Sequence, residues 1–265
     1  MTQAQQAQPE AAAEPVRTEV QDGVAVITIN RPKARNAVNG AVARGIAAAI
    51  DELDARPDVR VLVLTGAGGT FSAGMDLKGF LTGDLPSVEG RGFGGIAERP
   101  PAKPLIAAVE GYALAGGFEL ALACDLIVAS EAAKFGLPEV RRGLAAGAGG
   151  LIRLPRRIPY HLAMEIVLTG EHYPAERLHA AGLVSQVVPA GEALSAAIAL
   201  AGRVALGAPL SLAVSKQVVA RAADWDSDQA FRKQGEIIGP VFASADAREG
   251  ALAFAEKRPP AWRGE

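Results

Sequence analysis

The chain has 265 residues, 49% of them apolar and only 5% aromatic, with a formal net charge of −2. That length buries a large Ala/Val/Leu/Ile core, as in close-packed α/β layers, and the near-neutral charge gives no reason to expect nucleic acid or a membrane surface as partner. The single cysteine, Cys124, excludes an intramolecular disulfide and fits a reducing compartment, and no apolar run approaches the ~20 residues needed to cross a bilayer.

In chain order, residues 1–17 lack the basic start and apolar run of a secretory signal and read as a disordered tail, with the cytoplasm as the expected location. Val24 to Asn30 (VAVITIN) reads as a strand entered from Asp22-Gly23 and closed by Arg31-Pro32. Asn39 to Asp54 has the pattern of an amphipathic helix with Asn39 as its N-cap. Val59 to Thr65 (VRVLVLT) reads as a buried strand, followed by the glycine turn Gly66–Gly69 and the run Thr70 to Lys78. Thr82 to Pro101, rich in Gly, Pro and charge, reads as a mobile loop over something. Pro104 to Val109 is the length of a buried strand, and glycine turns come at Gly111 and Gly116-Gly117. Phe118 to Ala123 then reads as the opening of a buried helix, and Asp125 to Ala129 as another strand, before Phe135-Gly136-Leu137-Pro138-Glu139. Arg141 to Gly150 (RRGLAAGAGG) is again glycine-rich, Leu183 to Val188 reads as a short strand, and the pattern is helical from Glu192 on. The units 61–77, 105–122 and 126–154 each read strand, glycine turn, helix-like segment. Such a repeat points to a stacked spiral with a helical region from about Ala205.

Two carboxylates stand out in apolar surroundings: Glu119, just after the glycine pair, and Glu139. Apolar walls raise a carboxyl's pKa and suit it to proton transfer near neutrality. Glycines at a helix N-terminus let a ligand oxygen approach unpaired N–H groups, which makes Gly116-Gly117 a candidate oxyanion site. Either Glu alone reads more readily as a residue of a first helical turn; the pair together fits chemistry beside a carbonyl.

Several motifs, in order, carry a resemblance. NRPKARNA (Asn30 to Ala37), FSAGMDLKGF (Phe71 to Phe80), AVEGYALAGGFELALACDLIVAS (Ala108 to Ser130), FGLPEVRRGLAAGAGG (Phe135 to Gly150) and the closing FAEKRPPAWRG resemble the enoyl-CoA hydratase/isomerase (crotonase) superfamily over nearly the whole chain from about Thr18. The resemblance implies an α/β, ClpP-like spiral of ββα units over 18–204 and a helical trimerisation region over 205–265. It implies a hydro-lyase on a 2-enoyl-CoA or 3-hydroxyacyl-CoA thioester, working through an enolate in fatty acid metabolism, with no cofactor beyond the coenzyme A that the substrate carries. By motif match the oxyanion donors are the N–H groups of Met75 and Gly116, and Glu119 and Glu139 handle the water and the α-proton, in roles the sequence leaves open. Ala73, Asp76, Leu77, Lys78 and Gly147 fall at substrate-binding positions, Lys78 near the coenzyme A phosphates. The family resemblance also implies a homotrimer or a dimer of trimers.

The sequence departs from the family pattern at Ala115, where a third glycine is common. It departs again at Glu110, which stands for an asparagine and adds a charge near the site, and at Ala146, often a proline. GGFELALA, the run from Arg153 to Pro159 and Trp262 resemble the carnitinyl-CoA dehydratase branch, so that activity and double-bond isomerisation are the alternatives within the family. Outside it, the near-elbow Thr70 to Gly74 lacks the first glycine of a serine hydrolase and the histidines cluster late, at 161, 172 and 179. The Gly66 turn has Phe71 where a dinucleotide fingerprint needs glycine, and neither the histidines nor the lone cysteine has metal-ligand spacing.

Overall fold

The computed structural model describes residues 14–265, so most of the tail predicted over 1–17 lies outside the described residues. Its end does not: Val16 and Arg17 already belong to the first strand. Strands β1 (Val16–Gln21) and β2 (Val24–Ile29) form a hairpin about Asp22-Gly23, both at positive φ. Helix α1 (Gly40–Ala55) follows, with the Asn39 side chain accepting from the Val42 N–H at 3.1 Å as the sequence predicts. Then come β3 (Val61–Gly66), the short helix α2 (Leu77–Leu81), the two-residue strands β4 (Ser87–Val88) and β5 (Gly92–Phe93), β6 (Leu105–Val109), β7 (Tyr112–Leu114) and helix α3 (Gly116–Ala123). Strands β8 (Leu126–Ser130) and β9 (Lys134–Gly136) precede helices α4 (Gly150–Arg157) and α5 (Tyr160–Thr169), strand β10 (Tyr173–Pro174), helix α6 (Ala175–Ala180) and β11 (Gln186–Val188). The chain ends in helices α7 (Ala193–Val204), α8 (Pro209–Arg221), α9 (Ala230–Phe242) and α10 (Ala245–Glu256).

The main sheet runs β1-β2-β3-β6-β8-β11 and is parallel apart from β1. Its side chains alternate between two cores, as the two-residue strand period requires. Val61, Val63, Ile106, Ala108 and Val128 face α7, whose Ala197 and Ala201 let it lie close. Leu62, Leu64, Leu105, Ala107, Ile127 and Ala129 face the larger core containing α1 and α3. A second small sheet, β10-β9-β7, is extended by a bridge from Ala113 to Ser72. Each unit of the spiral thus gives one strand to the main sheet and a short return segment to the second layer, which is the ββα repeat the resemblance implies.

Two expectations change. The segment over Thr82–Pro101 is a packed cover rather than a mobile loop: Ile96 and Arg91 are buried, and Phe93 rests on Gly116 so closely that a Cβ there would collide with its ring. Glycine supplies positive φ at Gly92, Gly94 and Gly95, so the richness that reads as flexibility serves tight turns against α1. The strand expected over Leu183–Val188 begins only at Gln186, because the Leu183 and Val184 N–H groups close a turn onto Leu178.

Helix α8 is tied to the sheet's far end by Lys216, whose ammonium meets the Asp125 carboxylate at 2.7 Å and the Lys103 carbonyl at 2.8 Å. Beyond α10 the tail folds back, with buried Asp246 accepting from the Arg263 and Gly264 N–H groups at 2.7 and 2.9 Å. Among the described residues no single helix is long and apolar enough to cross a membrane.

Candidate active site

The loops that carry the predicted residues leave the carboxyl ends of β3 and β6, where open parallel sheets form their ligand crevices. After β3 the chain turns at Gly74, at φ +93, and presents Met75. After β6 it crosses β7 and enters α3 at Gly116. The two turns touch: a Cβ at Gly74 would lie 3.0 Å from the Gly116 nitrogen. The N–H groups of Met75 and Gly116 donate to no protein acceptor among the described residues. Between them stands Ala115, strained at a positive φ of 51 with ψ −129. The sequence marks Ala115 only as a departure from glycine; the strain shows in the dihedral.

The Met75 turn is held from behind. Asn36, fully buried, accepts from the Arg31 N–H at 2.9 Å and donates to the carbonyls of Ala67 and Thr70 at 2.8 and 2.6 Å. Val38 then brackets Met75, donating to the Gly74 carbonyl at 2.8 Å and accepting from the Asp76 N–H at 2.9 Å. Asp76 caps α2 through the Lys78 and Gly79 amides and pairs with Arg31 at 2.9 Å. Burial pushes the Asp76 carboxyl up, but Arg31 and those amides outweigh it and hold it below the ordinary range. Leu77 and Lys78 are exposed and Ala73 is half-buried at the rim; Gly147 is exposed, on the loop that follows Gly143.

The structure brings the two glutamates together in different surroundings. Glu119 is 2% exposed, and its Oε1 accepts from the Ala148 and Gly150 N–H groups at 2.7 and 2.9 Å. Burial raises its pKa, opposed by those two amides and by the Arg153 guanidinium. Glu139 sits in the 3₁₀ turn Pro138–Arg142, and its Oε2 is buried without a partner among the described residues. Burial, with the Glu119 carboxylate adding to it, pushes Glu139 up to about 7. Beside it lies an apolar cavity of about 50 Å³ lined by Leu137, Val140, Ala145, Ala146, Leu151 and Val167, so Ala146 bears on the site as a wall. A larger cleft of about 400 Å³, around Asp22, Asp58, Arg60 and Leu206, opens where β2 and β3 begin and touches neither glutamate.

Glu110 corrects the expectation of a charge near the site. Its carboxylate turns away and accepts from the Ala193 N–H at 2.9 Å, at the N-terminus of α7 where negative charge is favoured. Sequence reasoning passes over Ala148 and Gly150, whose contribution is their amides, and over Asn36 and Arg153, whose motifs it quotes without assigning them work. Among the described residues no group of three or more His, Cys, Asp or Glu side chains is placed to hold a metal ion. Two unengaged amides beside two unequal carboxyls can polarise a carbonyl while one acid accepts a proton and the other supplies one.

Residues 19–265 match the protein family described as Enoyl-CoA hydratase/isomerase. The chain is 41% identical to the enoyl-CoA hydratase EchA19 of Mycobacterium tuberculosis over 244 residues, 89% of this chain and 91% of that protein. It is 40% identical to the carnitinyl-CoA dehydratase of Salmonella arizonae over 246 residues, 90% of this chain and 94% of that one. The crystal structure of enoyl-CoA hydratase EchA1 from Mycobacterium marinum superposes with a TM-score of 0.93 at 57% identity, covering 95% of this chain and 100% of that one.

Proposed function

The chain belongs to the enoyl-CoA hydratase/isomerase family, and from that premise we propose that it adds water to a 2-enoyl-CoA thioester with Glu119 as base and Glu139 as acid. It is a crotonase-fold hydro-lyase acting on enoyl-CoA thioesters. In the proposed sequence Glu119 takes a proton from water as its oxygen bonds to C3. The C2=C3 electron pair moves onto the thioester oxygen, held by the Met75 and Gly116 N–H groups, and returns to take the Glu139 proton at C2. Exchange between the carboxyls and solvent restores the starting state, and dehydration is the same path reversed. Donors aimed at a developing oxyanion contribute a few kcal/mol each.

The observation that carries this reading is the unlike surroundings of the two acids. Glu119 keeps two amide donors, which favour its carboxylate, while Glu139 has none on Oε2 and is pushed up to about 7. Loss of the conjugated thioester absorbance of crotonyl-CoA tests it. Wild type is expected to turn over, and Glu119→Gln and Glu139→Gln each to lose ~10²–10⁴-fold in kcat. Full activity in either variant refutes the two-acid assignment. The Salmonella relative supports a second substrate, a carnitine-like acyl group, and an inert crotonyl-CoA with active crotonobetainyl-CoA would select it.

No metal or redox cofactor belongs to this reading. The substrate-binding rim would comprise Ala73, Asp76, Leu77, Lys78 and Gly147, with Lys78 toward the phosphates, and the site of action would be the cytoplasm. Residues 205–265 would serve assembly into a trimer or dimer of trimers. Phe231, Phe242 and Phe254, each more than three-quarters exposed, give α9 and α10 apolar faces suited to burial between subunits. A monomer mass by light scattering at micromolar protein would remove that part.

A further inference from the structure

Arg153 touches neither proposed acid, yet its guanidinium lies where three parts of the site meet. One arm, Nη1, donates to the Ala148 carbonyl at 3.3 Å, and Ala148 is the residue whose N–H holds Glu119 at 2.7 Å. The other arm, Nη2, donates to the Ala97 carbonyl in the cover segment. Its own N–H returns to the Gly149 carbonyl at 2.8 Å, and Gly149, at φ +101, leaves no room for a Cβ, which would collide with Nη1. The cation is thus largely enclosed, bonded to two carbonyls and not to a carboxylate among the described residues.

We propose that Arg153 is a positioning residue for Glu119: it fixes the Gly147–Gly150 loop against the cover so that the Ala148 and Gly150 amides stay aimed at the carboxylate, and it supplies the positive charge nearest to it. The inference rests on the assignment of Glu119 as base. The charged groups facing Glu119 are few. Glu139 faces it from the 3₁₀ turn and Arg153 from α4, whereas Arg142 faces Glu139 and Arg157 is spent on the carbonyls of Leu122 and Cys124 at 2.7 and 3.4 Å. Loosening Arg153 therefore removes both the geometry and the positive charge that oppose the effect of burial on Glu119.

The test compares Arg153→Met, Arg153→Lys, Glu119→Gln and the Arg153→Met/Glu119→Gln double variant by crotonyl-CoA turnover across pH. Arg153→Met is expected to lower kcat about 10–100-fold with KM within about threefold, and to move the acidic limb of kcat/KM upward by about one pH unit. Arg153→Lys, retaining charge and one donor, recovers part of the loss and most of the limb position. In the Glu119→Gln background Arg153→Met costs no more than about twofold, because a residue acting through Glu119 has nothing left to position. An unmoved acidic limb, or the same loss in both backgrounds, overturns the proposal and leaves Glu119 as base untouched. A fully active Glu119→Gln overturns both. Should Arg153→Met fail to fold, Arg153→Gln, neutral but still able to donate, takes its place in both backgrounds with the same expected rise of the acidic limb.

Discussion

Replacing Glu139 with glutamine should lower kcat by ~10²–10⁴-fold and yet, above neutral pH, make the protein more stable. The carboxyl is 9% exposed and is pushed from an ordinary 4.5 up to about 7, chiefly by burial. Because the folded value lies above the unfolded one, the folded protein retains a proton that the unfolded chain has already released between those two values. Stability contributed by this group is therefore fully present below about 4.5, falls as pH rises, and is lost above about 7. At about 1.4 kcal/mol for each tenfold, ionising the buried carboxyl costs on the order of 3 kcal/mol. Glutamine never ionises and avoids that cost. Urea unfolding followed by Trp225 and Trp262 fluorescence, at one fixed protein concentration so that any assembly contributes equally, gives the difference directly. Glu139→Gln should match wild type within about 1 kcal/mol at pH 4.5 and exceed it by about 3 kcal/mol at pH 8. A difference that stays flat between those pH values would refute the argument, since no other consequence of the substitution carries that pH signature.

Two further substitutions test the frame around the site. Ala115→Gly should stabilise the protein by about 1 kcal/mol, because glycine takes φ 51 without the strain alanine bears; an unchanged urea midpoint would mean the turn relaxes without help. Asn36→Ala should cost about 2–4 kcal/mol by stranding the Ala67 and Thr70 carbonyls and the Arg31 N–H in a fully buried place, and a loss below about 1 kcal/mol in the same unfolding assay would show that water or backbone movement satisfies them.

Much of this architecture is legible in the residues. The unbroken apolar runs VLVLT and LIAAV mark strands buried on both faces, Asn39 announces its helix, and glycine pairs mark where the chain turns between layers. Strands of two or three residues, such as β7, β9 and β10, are too short to show a period, so the second layer appears in the sequence only as turns. The cover over 82–101 misleads because glycine and proline serve packed tight turns as well as mobile loops. The glutamate pair is visible because apolar neighbours surround it; its partners are not, since Ala148 and Gly150 act through amides that every residue but proline has. Glu110 shows the opposite limit: a charge two turns from the site in sequence is spent on the end of a helix 83 residues away.

That reliance on amides bears on how such a site changes over generations. The contacts holding Glu119, and the two N–H groups proposed to hold the thioester oxygen, belong to the main chain, and a single substitution erases such a donor only by introducing proline. The side chains at Met75, Ala148 and their neighbours can therefore be exchanged while the donors persist. Acyl preference can drift as the walls are redrawn, whereas the polarising chemistry stays anchored in the path of the backbone. A saturation scan of this chain would light up at the two glutamates and at Gly116, where any Cβ meets Phe93, and stay dim at Met75 and Ala148.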